Sequence, residues 1–306
     1  MREFRKFAAY AAATFGRQVD VWATLNEPVV TAAQGYVSIP GVTGTKAPGI
    51  LSYPAALRVV VNQGLANAAA YDAVHAHDRK AQVGFVQNML DWRPVDASSA
   101  ADAQAARHAD QIFNRAFLEE ALNGWYDTDA DGTRDAGELH PARAGKADFI
   151  GVNHYSPARA QALPAPVSAT VPLFDFVPHL SYAPGLCPSA CSDFGWEIDP
   201  TGLSNVIAEA ASYGKPIYVT ENGIDDADDD QRPAYLTGYL RALHAAIANG
   251  ADVRGYFHWS LTDNFEWAEG FRARFGLYAF DPATLRRTAR PSAALYGAIA
   301  RANALP

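Results

Sequence analysis

Two short segments put a glutamate where a strand-like run gives way to a turn: Thr24-Leu25-Asn26-Glu27-Pro28 and Val219-Thr220-Glu221-Asn222-Gly223. Each follows a β-rich stretch, Val19–Ala23 and Pro216–Thr220, and each runs into a helix breaker or turn former. A carboxylate at such a point projects from the end of a strand. Two of them, far apart in sequence, converge only in a fold that gathers many strand ends on one face, as a parallel β/α barrel does. Paired carboxyls in that setting suit hydrolysis of a glycosidic bond with retention. One protonates the leaving oxygen and the other, ionised, attacks the anomeric carbon from roughly 5–5.5 Å away. Their surroundings must hold the two pKa values apart.

Neighbouring residues fit that chemistry. Asn26 is a neutral amide able to hydrogen-bond a sugar hydroxyl beside the reacting carbon, and Tyr155 in Asn153-His154-Tyr155 is a candidate donor for keeping Glu221 charged. A lone glutamate at a loop start is more often a helix cap or a solvated charge. The segment Phe257-His258-Trp259-Ser260-Leu261-Thr262-Asp263-Asn264-Phe265-Glu266-Trp267 changes that weighting. Aromatic faces pack on the apolar C–H faces of pyranose rings, while carboxylates and amides take the hydroxyl hydrogen bonds. An aromatic core segment would account for Phe257 and Trp259, but not for Asp263, Asn264 and Glu266 in the same stretch.

The elements that must position these residues alternate. Arg2–Phe15 reads as an amphipathic helix with Phe4, Phe7, Ala8, Ala11 and Phe15 on one side and Gly16 as its stop. Strand-like runs at Val19–Ala23, Ala81–Gln87, Asp148–Val152, Pro216–Thr220 and Val253–His258 are separated by helical stretches near Pro54–His77, Ala101–Leu122, Gly202–Tyr213 and Arg232–Asn249. A last helix begins near Pro291, a residue suited to a first helical position. Alternation of this kind predicts an α/β fold with parallel strands and right-handed crossovers. Residues 1–306 read as one domain, with a single loose loop at Ala158–Trp196.

Composition excludes several classes. The net charge of −8, with no Lys/Arg cluster, argues against a nucleic-acid or anionic-membrane surface. No run approaches the roughly 18–20 apolar residues of a membrane span. The start, Met1 to Lys6, has no apolar signal core, which tips the expected compartment slightly toward the cytoplasm. Cys187 and Cys191 lack neighbouring histidines and make a poor zinc site; they form either a local disulfide or two unpaired loop thiols.

Residues 127–138 fit the twelve-position calcium loop. Oxygen side chains at Asp127, Asp129, Asp131, Asp135 and Glu138 fall at positions 1, 3, 5, 9 and 12, with Gly132 at 6 for the turn and the carbonyl of Thr133 at 7. Pro141 discourages the following helix of a true EF-hand. A structural calcium and a solvated acidic surface loop are the two readings.

Taken together and in order, these motifs resemble the family-1 glycoside hydrolases, the retaining β-glucosidase and β-galactosidase group, from Phe4 to about Ala300. The resemblance makes Glu27 the acid/base at the end of the family's fourth barrel strand and Glu221 the nucleophile on its seventh. Asp148–Ser156 resembles the sixth strand, with Asn153 and Tyr155 at matching positions, and Gly195-Trp196-Glu197-Ile198 and Arg274-Phe275-Gly276-Leu277 also match. Glu266 and Trp267 are implied to contact the glycone sugar and Trp259 to form part of its floor. Glu266-Trp267 is similar to the pattern of enzymes acting on unphosphorylated sugars. The implied fold is the (β/α)8 TIM barrel, of which this chain carries about five units, strands 4 to 8. The first three strands, with the family's glycone-binding Gln and His-Trp pair, fall outside it, as in a truncated reading frame.

The implied activity is hydrolysis of terminal β-D-glucosyl, galactosyl or fucosyl residues by double displacement, on a β-glucoside or short β-linked oligosaccharide, with no cofactor for catalysis. The alternative is a catalytically impaired sugar-binding or vestigial fragment. Open barrel edges would favour self-association.

Overall fold

A computed structural model describes residues 1–37, 46–164, 175–182 and 186–305. Five strands, β1 (Val21–Asn26), β2 (Gln82–Asn88), β4 (Ile150–Asn153), β9 (Ile217–Asn222) and β10 (Val253–His258), form one parallel sheet in the order β1-β2-β4-β9-β10. Between β2 and β4 lies the short strand β3 (Trp92–Pro94). The sheet does not close on itself: among the described residues β1 and β10 each keep an outer edge with no paired strand.

Burial follows from that order. All four residues of β4 are buried, as expected of a central parallel strand covered on both faces, whereas β1 and β10 have no fully buried residue. Phe85, Ile150, Val152, Ile217 and Val219 from the inner strands join the main apolar core. There they meet helix α6 (Pro200–Ala211) through Leu203 and Ile207, and α7 (Arg232–Ala248) through Tyr239 and Leu243.

The remaining helices are α1 (Arg2–Phe15), α2 (Pro28–Tyr36), α3 (Tyr53–His77), α4 (Ala100–Asp110), the single turn α5 (Ala116–Leu118) and α8 (Pro291–Ala302). The expected helix over Ala101–Leu122 is present but broken: widened π turns at Gln111–Arg115 and Glu119–Asn123 flank α5. Asp199 caps α6, its side chain accepting from the Thr201 amide at 3.0 Å, with Pro200 at the first helical position.

Two expectations need correction. In α1 the buried face is not the phenylalanine stripe, since Phe7 is 65% and Phe15 48% exposed. Of the expected stripe Ala8 is buried and Phe4 half-buried; with Ala12 they pack against Ala70, Ala73 and Val74 of α3, where small side chains let the two helices close together. The stretch Ala158–Trp196 is not uniformly loose. It contains β5 (Ala158–Ala162), parallel to β3 and antiparallel to β6 (Phe176–His179), and a two-residue pair, β7 (Ala190–Cys191) with β8 (Glu197–Ile198). Residues 165–174 and 183–185 of that stretch lie outside the described residues. Near the C-terminus β11 (Tyr278–Phe280) and β12 (Arg287–Ala289) form a further antiparallel pair. Cys187 and Cys191 are joined in a disulfide. No helix among the described residues is long and apolar enough to cross a membrane.

Candidate active site

Four of the five parallel strands end in the same residue type: Asn26 on β1, Asn88 on β2, Asn153 on β4 and Asn222 on β9. Parallel pairing brings these tips side by side, with Asn88 in register with Asn153, and Asn153 in register with Glu221. The amides are then wired together. Asn153 Nδ2 donates to Asn26 Oδ1 at 3.1 Å and to Glu27 Oε1 at 2.9 Å. Asn88 Nδ2 donates to the same Glu27 oxygen at 3.0 Å. Thr220 Oγ1 donates to Asn153 Oδ1 at 2.7 Å, and the Glu27 carboxylate, which can only accept, fixes the other end of that amide as the donor.

Glu27 stands between β1 and α2 in a left-handed conformation, φ 50°, with Pro28 opening the helix. A non-glycine residue held there is uncommon and turns its side chain away from the line of the strand.

Glu221 sits on β9 one residue before the tip and is half-buried. The Tyr155 hydroxyl donates to its Oε2 at 2.7 Å, and the Asn153 amide reaches it as well. Burial, then the charge of Glu27, pushes the Glu221 carboxyl up to about 7 against the pull of those two donors. Burial and the same carboxylate, together with Glu27 and Glu266, raise the Tyr155 phenol well above its usual value, so it remains a donor. Glu27, Glu221 and Glu266 therefore share one neighbourhood. Two carboxyls distant in sequence do converge on one face, as their positions at strand ends require.

The aromatic segment follows β10. Trp259 donates its indole N–H to Glu266, whose carboxyl is raised by burial and by Glu27, and lowered by that bond and by Lys46. The close approach of Trp259 to the Glu221 strand depends on Gly223, where an added Cβ would lie 1.7 Å from the Trp259 carbonyl oxygen. Trp267 is 66% exposed, with Lys46 Nζ 4.3 Å from its ring centre. Tyr155 packs against Trp196 and Phe275, ring centres 5.3 and 5.9 Å away.

Asn26, Glu27, Asn153, Tyr155, Glu221 and Glu266 are gathered at this mouth, with Trp259 bonded to Glu266 and Trp267 beside Lys46. Asp263 and Asn264, read from the sequence with them, are not: Asp263 is buried, accepting from the Gly276 amide at 2.9 Å and pairing with Arg290 at 3.0 Å, and Asn264 donates to Ser260 Oγ at 3.2 Å. Three were missed. Asn88 was legible as another strand-terminal Asn. Thr220 precedes Glu221 on the same strand, but its role is to orient Asn153, which only pairing reveals. Lys46 gave no local signal.

The acidic loop behaves otherwise. Asp127, Asp129 and Asp131 bring one oxygen each within 4.8 Å of one another. Asp135 and Glu138 do not join them. Glu138 instead accepts from the Thr128 amide at 2.7 Å, the Thr128 hydroxyl at 2.8 Å, the Trp125 indole at 3.1 Å and the Asp135 amide at 3.1 Å. Its two oxygens are spent on organising the loop, so the six-residue ligand set expected from the pattern is not assembled.

Comparison with known proteins agrees with the geometry. A family model for glycosyl hydrolase family 1 matches residues 1–305. A β-galactosidase of Pyrococcus woesei is 36% identical over 94% of this chain and 58% of its own length. A β-galactosidase of Saccharolobus solfataricus is 36% identical over 99% of this chain and 59% of its own. The chain thus spans somewhat under two thirds of these relatives. Among solved structures, a β-glycosidase from Pyrococcus horikoshii superposes with a TM-score of 0.84 at 35% identity, covering 98% of this chain and 65% of that one. A Thermotoga maritima β-glucosidase in complex with glucoimidazole does so with a TM-score of 0.84 at 29% identity, covering 99% and 68%. A match that runs from the first helix to the last has one reading: the chain belongs to glycosyl hydrolase family 1.

Proposed function

We propose that the site hydrolyses β-glycosides with retention of configuration, Glu221 acting as nucleophile and Glu27 as acid and then base. The observation that carries this reading is the Tyr155 hydroxyl on Glu221, beside an Asn153 amide that reaches both carboxyls. With the proton on Glu27, Glu221 loses the repulsion that raises it and keeps the donors that favour its charged form. Glu221 then attacks the anomeric carbon while Glu27 gives its proton to the departing oxygen. In the second step Glu27 takes a proton from water, which opens the ester.

Trp259, Trp267 and Glu266 are suited to hold a terminal glucosyl, galactosyl or fucosyl ring, with apolar faces against indoles and hydroxyls toward the carboxylate. The relatives carry β-galactosidase and β-glucosidase names, and the solved neighbour above holds a sugar-like inhibitor. No cofactor takes part in family-1 catalysis. The unpaired outer edges of β1 and β10 support self-association, which sedimentation at two concentrations tests; a lone monomer boundary at both overturns it.

The deciding experiment incubates the protein with an aryl 2-deoxy-2-fluoro-β-glucoside and maps the adduct by mass spectrometry. The expected result is one ester on Glu221. A label on Glu27 reverses the roles, an inverted product anomer refutes retention, and absence of both adduct and aryl release overturns the catalytic reading.

A further inference from the structure

The acidic loop of residues 127–138 lies outside the sugar site and has no part in its chemistry. Its first three acids are gathered to within 4.8 Å, and the group contains an oxygen with nothing to bind. Asp127 is only 8% exposed. Its Oδ2 accepts from the Gly132 amide at 3.0 Å, while its Oδ1 is buried without a hydrogen-bond partner. Burying a carboxylate oxygen unsatisfied costs several kcal/mol in general terms, and a bound cation removes that cost. Asp129 and Asp131, both exposed, approach from the solvent side.

Glu138 explains how three like charges are kept together. Its four hydrogen bonds tie Trp125, Thr128 and Asp135 into a clasp, so the loop is closed by the protein itself rather than by its last acid reaching an ion. We infer that Asp127, Asp129 and Asp131 form a site for a single hard divalent cation, calcium by its all-oxygen donors and open approach, with Glu138 as the clasp and not a ligand. Waters complete the coordination, because three side-chain oxygens fall short of the six to eight that calcium takes. The second acidic trio, Asp226, Asp228 and Asp230, is the internal control: the oxygens of Asp226 are already engaged by the amides of Asp229, Gln231 and Arg232.

The test uses the full chain stripped with chelator and titrated with calcium chloride by calorimetry, and separately with terbium chloride, excited through the nearby Trp125. One site per chain and sensitised terbium emission displaced by calcium are expected. Asp129 and Asp131 are exposed, so the double variant D129N/D131N folds normally, and it should weaken calcium binding at least tenfold. Asp228→Asn should leave it unchanged, and Glu138→Gln should alter it less than threefold. No heat and no emission at millimolar metal overturn the site. Loss on Asp228→Asn transfers it to the other trio, and a tenfold loss on Glu138→Gln overturns the restricted ligand set. None of these readouts depends on turnover.

Discussion

The Tyr155 hydroxyl donates to Glu221 Oε2 at 2.7 Å, a bond between residues 66 positions apart that only the pairing of β4 with β9 brings together. It favours the ionised form of Glu221. Tyr155→Phe should therefore raise the Glu221 pKa further above its folded value of about 7 and carry the acid limb of the rate profile to higher pH. A hydrogen bond to a charged group is worth about 1.5–3 kcal/mol, so kcat/KM should fall roughly 10- to 100-fold on an aryl β-glucoside. An unmoved acid limb would leave Tyr155 a mere packing residue.

Glu27 acts on Glu221 in the opposite sense, because its charge raises that carboxyl. Glu27→Gln should lower the pKa that governs inactivation by a fluoro-glycoside, shifting the acid limb to lower pH. Glu27→Ala should slow glycosides with poor leaving groups by at least tenfold more than activated aryl glycosides, since only the former need its proton. Equal losses on both substrates would remove Glu27 from the acid role.

Glu209 sits on α6 within reach of Asp110, Asn114 and Arg115, and burial, then the charge of Asp110, raises its carboxyl to about 7. A carboxyl that holds its proton more tightly when folded contributes stability below its unfolded pKa of about 4.5, and that stability is lost as pH rises through 7. Wild-type protein should accordingly lose stability between about pH 5 and 7 relative to Glu209→Gln, with melting temperature as the readout. Parallel curves for the two proteins would show that Arg115 and Asn114 already neutralise the effect.

Arg232 is fully buried, paired with Asp229, and donates to the carbonyls of Asp226 and Arg274. Asp229 also takes the Ser292 hydroxyl at 2.6 Å and amide at 2.8 Å, tying the start of α8 to this pair. Asp229→Asn keeps the backbone tolerable at φ 67° but leaves the buried guanidinium with only the more distant Asp226 carboxylate, 3.9 Å away, as its charge partner. It should cost about 3 kcal/mol, read as a lower urea midpoint.

The glutamate tips were legible because Pro28 and Gly223 punctuate β-rich runs, and such punctuation fixes where a strand must end. The Trp259–Glu266 pair was legible because indoles and acids rarely share a short stretch without a task, although Asp263 in the same stretch has a structural one, pairing with Arg290. What was hidden depended on partners remote in sequence. The buried face of α1 was legible in Phe4 and Ala8 but not in Phe7 and Phe15, because close packing on α3 favours alanines over phenylalanines of the same periodicity. The strands within Ala158–Trp196 were missed because β5 pairs with β3, a three-residue strand some sixty positions earlier. Glu138 matched a ligand position, but its hydrogen bond to the Trp125 indole comes from outside the twelve-residue pattern.

Three strand-terminal asparagines, Asn26, Asn88 and Asn153, set permanent dipoles that neither gain nor shed a proton around Glu27, while the fourth, Asn222, turns inward to His154 and Tyr235. The placement of those dipoles is set by strand alignment, and no pH adds charge to them or removes it. The answer to a change of medium is left to the neighbouring carboxyls.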